Sequence, residues 1–282
     1  MIRDISIGQF FPGNSLLHKL DPRIKILQTL LYIIALFLCK NFFSLIILFA
    51  VAIVSVILSK ISFKVILKGL KTIIAIIIFT SVLQLFYNTD GSVLWKPFPE
   101  RDFALTTGGV YSCIFITVRI CALILFSSLL TYTTSPTMLT DAIERLLSPL
   151  SHLHINVHTL SMMMTIALRF IPTLIEEINI IISAQKARGA DLDTGTLKDR
   201  AKALIPVFIP LFVGSFRRAS ELAFAMECRC YNGGGGRTRM KQMKLHARDY
   251  AVFSFFLFLF SFVIISSFTH LFGNGFLFEG VI

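Results

Sequence analysis

Apolar residues in this chain do not alternate with polar ones so much as run on without interruption. Such runs occupy 24–39, 42–58, a third ending near residue 87, then 110–132 and 251–272. Each is close to the roughly 20 residues a helix needs to cross a bilayer. Asp21-Pro22 reads as a helix start, with Asp as N-cap and Pro at the first helical position, where its missing N–H costs nothing. Lys40-Asn41 breaks the first run, and the second returns at once, which predicts a helical hairpin. Lys60, Lys64, Lys68 and Lys71 follow at helical spacing and predict one basic stripe, an anionic-lipid contact, at the start of the third run. Asp90-Gly91, Pro97, Pro99 and Gly108-Gly109 mark 88–109 as a loop.

The stretch 136–248 breaks the pattern, being neither polar throughout nor cleanly transmembrane. Its run 160–182 is long and apolar but contains Arg169, Pro172, Glu176 and Glu177. Charges at a bilayer centre cost on the order of 2.5–3.5 kcal/mol each, so a lipid-surrounded span is disfavoured. The run 203–214 is too short, and Pro206 and Pro210 are expected to break its backbone ladder. The region therefore reads as long amphipathic helices lying along or just under the inner membrane face.

Composition agrees with this organisation: 55% of the 282 residues are hydrophobic and only 15% are charged, against about 25% charged in ordinary globular chains. A net charge of +11 must then sit outside hydrocarbon. Eight basic residues precede the first run or lie between the second and third, fifteen fall in 136–248, and three occupy the opposite loops. Lys and Arg accumulate on cytoplasmic flanks, so the N-terminus and the 136–248 stretch are expected inside and the C-terminus outside. Arg119 alone lies mid-span, where a charge is a functional candidate by default. The residues 1–20 lack the apolar core of a cleavable signal. The five Cys, three in apolar segments and two in a basic one, form no secreted disulfide framework and read as reduced.

One weak internal repeat stands out. Ala184-Gln185-Lys186-Ala187-Arg188-Gly189-Ala190 and Ala225-Met226-Glu227-Cys228-Arg229-Cys230-Tyr231 align at an offset of 41 residues, each at the end of a helical pattern that begins after proline. An Arg in the last helical turn suits the negative helix end, and small neighbours leave its guanidinium fork free to enter a partner's groove. Any single helix end is enriched in Arg and Gly; two copies in one membrane-adjacent region are harder to dismiss.

On these residues the chain resembles the transmembrane T component of energy-coupling factor (ECF) transporters. The similar stretches cover nearly its whole length: Gly8 to Gly13, Leu17-His18-Lys19-Leu20-Asp21-Pro22-Arg23, Thr134-Ser135-Pro136, Ala167-Leu168-Arg169-Phe170-Ile171-Pro172, the two repeats above, and Gly236-Arg237-Thr238-Arg239. The resemblance implies two X-Arg-X signatures, at Ala187-Arg188-Gly189 and Cys228-Arg229-Cys230, ending two coupling helices. Each Arg is then expected to enter a groove on one of two ABC-type ATPase subunits, whose closure around ATP moves the helices. A small membrane S component, held on their other faces, is expected to bind the micronutrient and topple to carry it across. ATP and magnesium would reside on the ATPases, with no cofactor, metal or catalytic residue on this chain. The second signature departs from the common form: Cys230 has a Cβ, so a left-handed turn there costs more than with glycine.

Other constellations carry less. His152, His154 and His158 include an i, i+4 pair able to chelate metal, but no Cys or carboxylate set accompanies them. Cys228 and Cys230 form a C-x-C without a partner pair. Glu176 and Glu177 suggest an intramembrane protease dyad, yet the expected downstream Arg is absent, and a polar stripe shared with Arg169 is the preferred reading. Gly233 to Gly236 lacks the Gly-Lys-Ser/Thr ending and preceding strand of a phosphate loop, so the chain itself should not hydrolyse ATP. Arg237, Arg239, Lys241, Lys244 and Arg248 read as a positive-inside anchor on anionic lipid rather than a nucleic-acid site.

The expected protein is thus all-α and polytopic, with about five transmembrane helices plus long amphipathic coupling helices. It divides into a cytoplasmic segment 1–23, a four-span region 24–132, a cytoplasmic-side coupling domain 133–249 and a last span with outer tail 250–282. It is expected in a prokaryotic cell membrane. The alternatives are a multispan intramembrane enzyme and a permease that transports alone; the second would need paired charged or broken helices at the midplane. Arg229-Cys230-Tyr231 and the Gly-rich Arg237-Thr238-Arg239 stretch resemble the shared, vitamin-type systems more than the dedicated ones.

Overall fold

The computed structural model describes residues 10–87, 92–95, 105–149, 157–190, 196–232 and 243–268. Among the described residues the structure is all-helical but for one short ribbon. Its elements are α1 (Pro22–Leu38), α2 (Phe42–Ser59), α3 (Phe63–Tyr87), β1 (Val93–Trp95), β2 (Leu105–Thr106), α4 (Thr107–Thr133), α5 (Pro136–Leu147), α6 (Val157–Ala187), α7 (Leu197–Cys228) and α8 (Ala247–Phe268). β1 and β2 pair antiparallel. The expectations placed on Gly8-Gln9, Asp90-Gly91, Pro97, Pro99, His152, His154, Gly233 to Arg239 and Lys241 lie outside the described residues.

Two compact units result, one built from Gly8–Ser135 with Met243–Ile282 and the other from Pro136–Gln242. In the first, α4 packs on α1, α2 and α3, and α8 packs on α1. The α1–α4 register can be read from three contacts. Lys25 Nζ donates to the Thr133 carbonyl at 3.0 Å and to Thr134 Oγ1 at 3.2 Å, Tyr32 stacks on Phe126 at 4.0 Å, and Arg119 donates to the Cys39 carbonyl. Each pair of residue numbers has nearly the same sum, as an antiparallel pair requires. α1 and α8 run parallel instead: Asp21 N–H donates to Asp249 at 3.0 Å at one end and Ser267 Oγ donates to the Leu38 carbonyl at 3.1 Å at the other. Tyr32, Leu36, Leu45, Leu48, Phe126, Phe256 and Val263 fill the core between these helices.

The helix start at Asp21 forms as the Asp-Pro pair predicts. Its carboxylate accepts from Arg23 N–H at 2.9 Å, and Pro22 occupies the first turn. Burial would raise the Asp21 carboxyl, but hydrogen bonds from the Arg23 guanidinium and N–H, with the Arg23 charge, outweigh it and hold the carboxyl below its ordinary range. Stability from this cap is therefore fully present above the unfolded value near pH 4 and is lost only as pH falls through the folded one. A melting temperature that changed between pH 8 and 5 because of Asp21, as judged against Asp21→Asn, would contradict this assignment.

Three sequence expectations change. Lys60 is not part of a four-lysine stripe; it is the C-cap of α2, in the left-handed region at φ 56°, and only Lys64, Lys68 and Lys71 lie on α3. Gly108-Gly109 are not loop residues but the first turn of α4, where Thr106 Oγ1 accepts from Gly109 N–H at 3.1 Å. Pro206 and Pro210 do not end a short helix, because α7 continues through both for 32 residues. Proline's fixed φ is helical, so each interrupts a single hydrogen bond while long helical runs on either side carry the ladder past it.

Among the described residues, the helices long and apolar enough to cross a membrane are α2, α4, Ala201–Cys228 within α7 and Ala247–Ser267 within α8. α3 joins them if its two arms, Phe63–Gly69 and Ile73–Leu85, bent by 56°, form one span. α1, with 17 residues, covers roughly 25 Å at the helical rise. This is a multi-pass membrane protein.

Candidate functional site

The unit Pro136–Gln242 centres on an antiparallel pair, α6 against α7, with α5 packed on α6. A clasp holds the pair near its middle: Arg218 Nη2 of α7 donates to Glu177 Oε2 of α6 at 2.9 Å, and the Arg218 guanidinium lies 6.0 Å from the Phe170 ring. Gly214, one turn before Arg218, makes room for this carboxylate; a Cβ there would stand 2.8 Å from Glu177 Oε1. Glu177 is thus paired across to α7, and the stripe with Arg169 is not its environment. The adjacent helix α5 contributes Glu144, whose Oε1 is 3.2 Å from His158 Nδ1. Among the described residues no three potential metal ligands converge.

The two Arg motifs close the two helices in the same way. At the end of α6, Gly189 N–H donates to the Lys186 carbonyl at 3.0 Å and Ala190 N–H to the Gln185 carbonyl at 3.0 Å. At the end of α7, Cys230 N–H donates to the Glu227 carbonyl at 2.8 Å and Tyr231 N–H to the Met226 carbonyl at 3.0 Å. Both are Schellman caps, with the Arg at the C-cap and the residue after it in the left-handed region, at φ 86° for Gly189 and 56° for Cys230. The 41-residue offset in sequence is therefore an offset between two identical backbone devices. It also explains each X-Arg-X position: Ala187 and Cys228 are the last helical residues, Arg188 and Arg229 the exposed caps, and Gly189 and Cys230 the turn.

A Cβ added at Gly189 meets nothing within 4 Å, so that position demands φ rather than space. Cys230 holds the same turn with a Cβ, at a cost of about 1–2 kcal/mol that glycine avoids, less the greater entropy glycine loses on folding. Cys230→Gly should therefore raise stability by about 0.5–1 kcal/mol and Gly189→Ala lower it by about 1 kcal/mol. Thermal unfolding of the purified chain in detergent checks both; destabilisation by Cys230→Gly would refute the cap.

The pair places the two caps at opposite ends. Met163 on α6 shares an apolar groove with Met226 and Tyr231 at the far end of α7. Gln185, three residues before Arg188, donates from Nε2 to the Pro206 carbonyl, near the start of α7, at 3.5 Å. Helical rise over the about 25 residues between Met163 and Arg188 puts Arg188 and Arg229 roughly 35–40 Å apart. The Gln185 contact was missed in the sequence, although its signal was present: Pro210 has no N–H to give the carbonyl four residues earlier, so that of Pro206 needs another donor.

Comparison with known proteins decides the family. A family described as "Cobalt transport protein" (CbiQ) matches residues 13–242. The "Energy-coupling factor transporter transmembrane protein EcfT" of Clostridium kluyveri is 50% identical over 250 residues, 89% of this chain and 92% of that protein. The chain belongs to the EcfT/CbiQ family of ECF transporter transmembrane components. The protein of the same name from Ruminiclostridium cellulolyticum is 50% identical over 252 residues, covering 89% of this chain and 93% of that one, and that of Bacillus subtilis 43% over 254 residues, covering 89% and 94%. The two X-Arg-X stretches lie on the matching caps of α6 and α7, and Arg119 lies apart from them. It lies in the other unit, stacked 4.6 Å over Phe115, where its positive charge meets the C-terminal carbonyl end of α1.

Proposed function

We propose that this T component couples two ABC-type ATPase subunits to a membrane S component that binds a vitamin or other micronutrient. The observation that carries the reading is the pair of identical Arg-bearing caps at opposite ends of one antiparallel helix pair. Two equivalent ends suit two equivalent ATPase subunits. A guanidinium on a helix C-cap offers a permanently charged fork to a carboxylate in each groove. Closure of the ATPases around ATP then moves the two ends relative to each other, and the α6–α7 pair transmits that motion to whatever rests on its apolar surface. Phe208, Phe212 and Phe216 are each about three-fifths exposed on α7 and supply such a surface. ATP and magnesium belong to the ATPases in this scheme.

We place α6 and α7 along the cytoplasmic face rather than across the bilayer, with the N-terminus inside. Crossing would carry the Arg218–Glu177 pair and Arg217 into hydrocarbon, where charges are costly. The basic excess on the N-terminal and 136–248 sides supports the orientation. Purification of the tagged chain from its native membrane, with identification of what accompanies it, tests the assembly. Two ATPase chains and at least one small membrane protein per T component are expected. Recovery of a lone chain that sustains uptake in liposomes without an ATPase would overturn the proposal.

A further inference from the structure

A cavity of about 690 Å³ lies between α2 and α8 against the N-terminal loop, within the membrane unit. Leu17 and Leu20 come from the loop, Val54 and Leu58 from α2, and Ala251 and Phe255 from α8. Among the described residues at its wall, Ser55 and Arg248 alone are polar. Ser55 Oγ is already committed, donating to the Val51 carbonyl at 2.8 Å. Arg248 is exposed and forms no ion pair among the described residues.

The cavity has a wedge's construction. At one end α2 and α8 are pinned together, with Asn41 Nδ2 donating to the Ser266 carbonyl at 2.8 Å and the Ser44 and Ser266 hydroxyls 3.0 Å apart. Toward the other end the space opens, lined by α2 from Ile47 to Leu58 and by α8 from Arg248 to Phe256. That open end is cationic: Lys19 sits between Leu17 and Leu20 in the loop, Lys60 closes α2 just after Leu58, and Arg248 stands in the first turn of α8. The two nearby carboxylates do not cancel this charge, being buried and turned inward. Asp21 pairs with Arg23, and Asp249 accepts from the N–H groups of Asp21 and His246. Along α2 the lining runs from Ile47 to Leu58, roughly 16 Å of helix, close to one leaflet's half of the roughly 30 Å hydrocarbon core.

We infer that this wedge is a binding site for an anionic glycerophospholipid, with one acyl chain between α2 and α8 and its phosphate on the Arg248 guanidinium. A slot of leaflet depth that is apolar but for the internally bonded Ser55 selects a hydrocarbon chain, and an unpaired guanidinium at its mouth selects a phosphate carrying net negative charge. On the orientation proposed above, the lipid belongs to the cytoplasmic leaflet.

Native mass spectrometry of the full chain in mild detergent, titrated with phosphatidylglycerol and with phosphatidylcholine of the same acyl chains, tests the site. Retention of phosphatidylglycerol should exceed that of phosphatidylcholine by about fivefold, the scale of one basic residue near an anionic headgroup. Arg248→Gln should remove that difference while leaving phosphatidylcholine unchanged. Val54→Trp, which fills the slot, should reduce both lipids. Should Val54→Trp fail to purify as a monodisperse protein, Ala251→Leu serves as the filling variant. Inorganic phosphate should not compete at millimolar concentration. Equal retention of the two lipids by the wild type, phosphatidylglycerol binding unchanged in Arg248→Gln or in the filling variant, or displacement by phosphate alone would each overturn the site. None of these outcomes depends on the ATPases, so failure here is separable from failure of the coupling proposal.

Discussion

Arg188→Ala and Arg229→Ala should each lower ATP-driven uptake by the reconstituted complex by at least about tenfold while leaving the subunit folded. Truncating one partner of a buried, hydrogen-bonded charge pair at an interface costs roughly 2–5 kcal/mol, much of it the penalty of stranding the other charge. In the isolated subunit both arginines are exposed helix caps, and a cation at a helix C-terminus contributes only about 0.3–1 kcal/mol. The two effects therefore separate cleanly: melting temperature stays near wild type while uptake and ATPase retention fall. Arg188→Lys and Arg229→Lys should lie between, since lysine keeps the charge and loses the planar fork. Because the caps are equivalent in geometry, the two positions should respond alike. Normal uptake in both alanine variants would remove Arg188 and Arg229 from the mechanism.

Asp249→Ala should produce the largest loss of stability from a single change in the membrane unit, on the order of 3 kcal/mol. Asp249 is 1% exposed, and its two oxygens accept from Asp21 N–H at 3.0 Å and His246 N–H at 2.8 Å. One carboxylate thus joins the start of α1 to the start of α8. Alanine leaves both N–H groups without acceptors inside the protein, and a bond to a charged group is worth about 1.5–3 kcal/mol. Asp249→Asn keeps one acceptor oxygen and turns the other into a donor facing an N–H, so an intermediate loss is expected. Thermal unfolding of the purified variants measures the series; wild-type stability for the alanine variant would mean that α1 and α8 are held by packing alone.

How much of this could be read in the chain depended on whether the cause was local. Asp21-Pro22 announces a helix start because capping is a property of neighbouring residues, and the cap forms. The cost of a left-handed turn at Cys230 was legible for the same reason; that both turns after Arg are left-handed is seen only in the structure. Lys60 misled because a spacing of four says nothing about whether a helix has already ended; α2 stops there and α3 begins at Phe63. Pro206 and Pro210 misled in the opposite direction, since a local breaker was overridden by a 32-residue helix and by packing on α6. The Glu177–Arg218 clasp, the Lys25 contacts with Thr133 and Thr134, and the Asp249 junction join residues 41 to 228 positions apart. Such pairings are set by helix register, which leaves no trace in a one-dimensional pattern.

A photoreactive residue placed at Ala187 in one variant and at Cys228 in another, beside each Arg, and activated in native membranes tests the coupling reading most directly. The account predicts that both positions crosslink to an ABC-type ATPase chain, and that trapping the ATP-bound state changes the yield at both. Crosslinks to lipid only, or to an ATPase from one position and never from the other, would contradict it.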